Sequence, residues 1–293
     1  MPAPEKNRLS ATGQSCYGLL AGGGALPLRV ASMLRARGDD VFIVGFDGQT
    51  DPAIYDSFAH MRTRVGAAGS VIETLRARCI TDLLLIGAIR RPSLAELRPD
   101  LRTAGFFARL GLRALGDDGL LRAIRDELEA DGFQIHGVHK ILPELLVPEG
   151  RVGRYEPARE DWPGIKRAVD TALALGHYDV GQGVIVQQGH ILSVEGAEGT
   201  DEMIRRTKPL LRKGRGGVLV KLCKPDQDMD MDLPTIGPET VRIAAAHGLT
   251  GIVAHAGRSL MVDSAEMVSV ADSHKIFIYG CDPEKVRHDA SKP

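Results

Sequence analysis

Cysteine is scarce: four residues in 293 (Cys16, Cys79, Cys223, Cys281), scattered and without a CxxC pair. That spacing excludes a zinc cluster or a disulfide framework, fits a reducing compartment, and leaves the four as small core residues. Aromatic residues make up only 4%, with a single tryptophan, Trp162, so stacking platforms for sugars or bases are few. Charge of one sign is lacking too, since 37 Lys+Arg against 38 Asp+Glu leave a net charge of −1. No bulk field draws the protein to nucleic acid or an anionic membrane, and any anion site is local. No apolar run approaches the ~18 residues of a membrane helix; the best, Leu83 to Ile89, is interrupted by Gly87. Residues 1–15 are polar and small, lack the apolar middle of a secretory signal, and read as a flexible leader.

What the chain has in plenty is glycine, 34 residues, within an ordinary globular composition of 43% hydrophobic and 26% charged residues. An apolar run from Cys16 to Leu20 meets Gly22-Gly23-Gly24, then a helical pattern ending near Gly38, then a second run from Val41 to Phe46. Strand, glycine loop, helix and strand follow in that order. A helix around Ser70 to Arg78, a strand at Leu83 to Ile86, a helix after Asp117 and Asp118, and a strand at Phe133 to Val138 continue the alternation. The continuous apolar strands point to a doubly wound parallel sheet. Three prolines and two glycines between Pro143 and Pro157 mark a boundary. A domain at 16–145 and another at 150–293 are therefore expected. In the second, Asp161 is placed to cap a helix, and strands alternate with helices, with a hairpin around Gly189.

Four constellations carry chemistry. Gly22, Gly23 and Gly24 sit where a strand hands over to a helix, so their amides suit a phosphate, with a tight structural turn as the alternative; Asp47 after the second strand suits a ribose. Lys221 to Gly237 places Asp226, Asp228, Asp230 and Asp232 within seven residues, beside Lys221 and Lys224. Carboxylates that close repel one another unless a divalent cation or a lysine compensates. A calcium loop fails, because Met231 stands at its glycine position; hard oxygen ligands beside lysines suit Mg²⁺ or Mn²⁺ bridging a phosphate, with a solvated acidic turn as the alternative. Glu195 and Glu198 form a second carboxylate pair, ahead of Thr200 at a helix N-cap. Arg90 and Arg91 follow a strand at the carboxyl edge of the first sheet, where ligands of open α/β folds bind. The histidines show no HxH or HExxH spacing, and no GxSxG pattern occurs.

Together, LAGGGALP at 20–27, GAIRRP at 87–92, DVGQGVIVQQ at 179–188, VEGAEGTD at 194–201 and the acidic segment 221–237 resemble the LpxI family, the metal-dependent UDP-2,3-diacylglucosamine pyrophosphatases of lipid A biosynthesis. The resemblance runs from about Tyr17 to the C-terminus. It implies a Rossmann-like N-terminal domain, a C-terminal mixed α/β domain peculiar to the family, and a homodimer. It also implies hydrolysis of UDP-2,3-diacylglucosamine to UMP and lipid X. Carried over, it makes Asp228 the first and Asp232 the second catalytic and metal-site carboxylate, with Glu195 and Glu198 as further ligands of Mg²⁺ or Mn²⁺. Lys221 and Lys224 then neutralise charge on the pyrophosphate. Gly22, Gly23, Gly24, Arg90, Arg91, Gln182, Gly199, Thr200 and Gln227 are expected to contact substrate. Where the family usually carries a basic residue, this chain has Asp230. A cytoplasmic enzyme with transient contact to the inner-membrane surface and no nucleic-acid partner is expected. Two other readings stand beside it: an NAD(P)-dependent oxidoreductase built on the glycine loop, and a non-catalytic nucleotide-sugar or lipid-binding regulator.

Overall fold

The computed structural model describes residues 15–90, 97–110 and 117–288. The leader up to residue 14, Arg91 and the side chains of Asp117 and Asp118 lie outside the described residues. The chain divides into two compact units: Met1–Ile141 with Asp230–Asp232, and Leu142–Met229 with Leu233–Pro293.

In the first unit, β1 (Cys16–Ala21), α1 (Leu26–Ala36), β2 (Asp40–Phe46), β3 (His60–Thr63), α2 (Ala68–Ala77), β4 (Asp82–Ile86), α3 (Leu101–Leu110), α4 (Asp117–Ala130), β5 (Gln134–Ile135) and α5 (Val138–Ile141) follow in order. The five strands are all parallel, in the order β3-β2-β1-β4-β5. Leu83 and Leu84 point to opposite faces of β4 and both are fully buried, which is why this strand has no polar alternation. Val71, Ile72 and Leu75 form the buried stripe of α2, and with Phe42, Val44, Leu128 and Ile135 they make one core. Met231, only 6% exposed, belongs to that core. The strand expected at Phe133 to Val138 shrinks to two residues. A Cβ on Gly137 would lie 2.5 Å from an Asp230 carboxylate oxygen, and the chain turns there into α5.

In the second unit, β6 (Gly150–Val152), α6 (Trp162–His177), β7 (Gly183–Gln187), β8 (His190–Val194), α7 (Thr200–Thr207), β9 (Gly217–Lys221), β10 (Thr235–Ile236), α8 (Pro238–Ala246), β11 (Leu249–His255), β12 (Leu260–Met261), α9 (Ser264–His274), β13 (Phe277–Cys281) and α10 (Pro283–His288) follow. The main sheet is mixed, in the order β6-β13-β11-β9-β7-β8: β9, β11 and β13 are parallel, and β6, β7 and β8 run antiparallel to their neighbours. β10 and β12 form a separate parallel pair. Gln188 and Gly189 close the β7–β8 hairpin with φ +50° and +76°, the positive angles that a type I′ turn needs to match strand twist. Asp161 stands at the N-terminus of α6 but makes no cap bond to it. Its carboxylate instead accepts from Arg215 Nε at 2.8 and 3.0 Å and from the Ala158 amide at 2.8 Å. None of the described helices is long and apolar enough to cross a membrane.

Candidate functional site

The glycine loop of the first unit is held by its neighbour. The Gly22 amide donates to Ile86 O and the Gly23 amide to Ala88 O, both at 2.7 Å. A Cβ on Gly22 would sit 2.4 Å from Gly87 O, so glycine is required for the loops after β1 and β4 to touch. Both of the amides expected to cradle a phosphate thus donate to carbonyls of the neighbouring loop. Gly24, at φ +88°, has no atom within 4 Å of the place a Cβ would take. Gln49 completes the arrangement, accepting from the Arg90 amide at 3.0 Å and donating to Arg90 O at 3.4 Å. Arg90 is exposed at this sheet edge. Gln49 was invisible to sequence reasoning, because a polar residue after a strand looks like any turn residue. Asp47 lies 3.4 Å from Arg62 at the surface.

In the second unit, β9 delivers Lys221, Leu222, Cys223 and Lys224 to the carboxyl end of the parallel strands. Lys221 is 8% exposed and its Nζ donates to Thr235 O at 3.1 Å. Lys224 Nζ meets Asp179 Oδ1 at 2.5 Å. The next turn is clamped by a buried glutamine: Gln227 Oε1 accepts from the Lys224 amide at 3.0 Å, while the Gln227 amide donates to Lys224 O at 3.2 Å. Gln227, expected to touch substrate, thus uses its carbonyl oxygen to shape the loop that presents Asp228, which is half-buried. Asp226 is exposed, 4.0 Å from His177, and Asp232 is exposed in the first unit. Asp230 sits among Lys140 at 2.7 Å, Arg125 at 3.4 Å and His139 at 3.8 Å. Burial works to raise its carboxyl, but Lys140, Arg125 and His139 outweigh that and hold it below the ordinary carboxylate range. Within the acidic segment, the charge of Asp230 is thus compensated by Lys140 and Arg125.

The second carboxylate pair is split as well. Glu198 is exposed and bonded to Arg206 at 2.5 and 3.0 Å; its own backbone amide and Arg206 hold its carboxyl below the usual range. Glu195 is 7% exposed, and its Oε1 accepts from Thr200 Oγ1 at 2.7 Å. Thr200 is therefore not the expected N-cap; Gly199, at φ +80°, holds that position. A Cβ on Gly183 would lie 2.6 Å from Glu195 Oε2, and one on Gly181 would lie 2.2 Å from Glu195 O. Those glycines admit the buried glutamate. Gln182 between them accepts from the Leu222 amide through its backbone carbonyl at 2.9 Å. Gln182 Oε1 and Glu195 Oε2 are buried and make no hydrogen bond, an arrangement that calls for an outside donor or cation. Among the described residues, no three His, Cys, Asp or Glu side chains gather as a metal cage. Of the four carboxylates expected to hold a metal, Glu198 is engaged by Arg206 and Glu195 by Thr200.

His255 closes β11, paired in register with Cys281 of β13. Burial, then Arg258, pushes its imidazole down to about 4 against the opposing pull of Asp282 and the Cys223 backbone. Its folded value lies below the unfolded 6.5, so its contribution to stability is complete above that pH and is lost as pH falls towards 4. His255→Gln is expected to flatten the fall in melting temperature of the parent across this window. Identical slopes would refute that assignment. A strand-end histidine with no partner motif gave sequence reasoning no reason to single it out.

Comparison with known proteins matches a family model for the LpxI N-terminal domain at residues 16–145 and one for the LpxI C-terminal domain at residues 148–279. A relative from Caulobacter vibrioides, UDP-2,3-diacylglucosamine pyrophosphatase LpxI, is 40% identical over 275 residues, covering 92% of this chain and 98% of its own. Among solved structures, the crystal structure of Acinetobacter baumannii MurG matches at 12% identity and a TM-score of 0.27, over 94% of this chain and 89% of that one. That score is too low to signify a shared fold.

Proposed function

This chain belongs to the LpxI family, and we propose that it hydrolyses the pyrophosphate of UDP-2,3-diacylglucosamine to UMP and 2,3-diacylglucosamine 1-phosphate (lipid X), a step of lipid A biosynthesis. The observation that carries this reading is the 40% identity to a pyrophosphatase along 92% of the chain. We read the first unit as Rossmann-like from its parallel order β3-β2-β1-β4-β5 and the second as the catalytic domain. The loss of the Gly22 and Gly23 amides to carbonyls weighs against a nicotinamide oxidoreductase, which would place a pyrophosphate on them.

A divalent cation, Mg²⁺ or Mn²⁺, belongs to the proposal. The residues fit a cation held by few protein ligands, with phosphate oxygens supplying the rest, which is how magnesium is commonly bound. Asp228 would hold it, and Glu195 offers a buried carboxylate oxygen that has no hydrogen bond. When bound, such an ion neutralises charge on the pyrophosphate and acidifies water. The protein's own part is positioning and charge: Gln227 fixes the turn before Asp228, Asp228 brings a carboxylate to the reacting centre, and Lys224 brings positive charge to the start of the same loop. The acyl chains of the substrate imply passing contact with the cytosolic face of the inner membrane, by an enzyme that acts as a homodimer.

The test is UMP release from UDP-2,3-diacylglucosamine with Mg²⁺ or Mn²⁺, with and without chelator. Chelation is expected to abolish release and added metal to restore it. Turnover that is indifferent to chelator would remove the cation, and hydride transfer to NAD(P) without UMP release would remove the reaction.

A further inference from the structure

The acidic segment leaves and re-enters the second unit within a few residues. Its stems, Lys224 to Met229 and Leu233 onward, belong to the second unit, whereas Asp230, Met231 and Asp232 belong to the first. Three observations show that this tip is anchored. The Asp230 carboxylate accepts from Lys140 Nζ at 2.8 Å, with Arg125 at 3.4 Å and His139 at 3.8 Å. Met231 is buried to 6% exposure among the apolar residues of the first unit. Gly137 lacks the Cβ that would strike the Asp230 carboxylate. Lys140 and Asp230 are 90 residues apart in sequence, so the contact is built by the fold and not by the loop.

We propose that Asp230 is a positioning residue for Asp228: its ion cluster with Lys140 and Arg125 fixes the loop tip, and through two residues of chain fixes where the Asp228 carboxylate stands. On the other side, Gln227 clamps the turn to Lys224. Asp228 is thus held from both directions, by a buried amide before it and by an ion cluster after it. A loop pinned at one end only samples many orientations, and misplacing a reacting group by an ångström costs up to about 100-fold in rate. The inference rests on the reading that Asp228 acts in the hydrolysis.

The test is a double-mutant cycle on the full chain with steady-state UMP release. Asp230→Asn is expected to lower kcat by roughly 10- to 100-fold with little change in KM. Lys140→Ala is expected to lower kcat in the same sense, Lys140→Arg to recover most of it, and the double variant Asp230→Asn with Lys140→Ala to be no worse than the poorer single one, as for two partners in one contact. Parent-like kcat in Asp230→Asn, multiplying losses in the double variant, or a loss that vanishes once rates are divided by the folded fraction from circular dichroism would each overturn the inference. Asp228→Ala in parallel separates the two readings. If that variant keeps its activity, the role of Asp228 falls; if it is dead while Asp230→Asn is not, only the positioning inference falls.

Discussion

Asp228→Ala is expected to cut UMP release by about 10³-fold or more, the scale seen when a preorganised electrostatic group is removed from a reacting centre. The expectation follows from placement. Asp228 is half-buried, follows directly on a buried glutamine whose side chain closes the preceding turn, and stands beyond a strand end that carries two lysines. Its exposure is sufficient that truncation leaves no deep cavity, so the melting temperature should stay within a few degrees of the parent. Asp228→Asn, matched in shape, tests charge alone and is expected to fall almost as far. Undiminished release in either variant would take the residue out of the mechanism.

Gly22→Ala should markedly lower the stability of the first unit. The added Cβ would meet Gly87 O at 2.4 Å and Ala88 O at 2.7 Å. Both are backbone atoms pinned by the hydrogen bonds that join the loops after β1 and β4. Relief requires moving one loop, and overpacking of this kind costs about 1–3 kcal/mol or more. Chemical denaturation should show a lower midpoint with an unchanged slope. Gly24→Ala differs: there is open space for its Cβ, and only the positive φ is penalised, by about 1–2 kcal/mol. If Gly22→Ala melted like the parent but raised KM, the loop would be gripping substrate and the tight-turn account would be wrong.

Local features were legible from sequence because they are written in contiguous residues. The Gly22–Gly24 turn between β1 and α1, the unbroken apolar run of β4 and the hairpin at Gly189 all follow from period and turn chemistry within about ten residues. The motifs that carry the family resemblance are contiguous too. What spacing could not supply is which charges meet. Asp161 reads as a helix cap from its place before Trp162, yet its partner Arg215 lies 54 positions away. Thr200 reads as an N-cap, yet it serves Glu195. The four aspartates of 226–232 look alike in sequence, which shows their proximity along the chain and hides the Lys140 and Arg125 that meet Asp230. Glu198 was legible as an acid at a helix start, but not as the partner of Arg206 on the same helix.

Met231 has a bearing on how the chain is made. A ribosome delivers residues in order, and domains generally fold as units as they emerge. The first 141 residues contain every strand of the parallel sheet, but the core those strands enclose takes a methionine from position 231. When Ile141 leaves the exit tunnel, the recess beside Gly137 and the apolar site later filled by Met231 are still open. They close only after most of the second unit, through β9 and its lysines, has been synthesised. A fragment cut at Ile141 is therefore an unfinished unit, with exposed apolar surface that the intact protein covers.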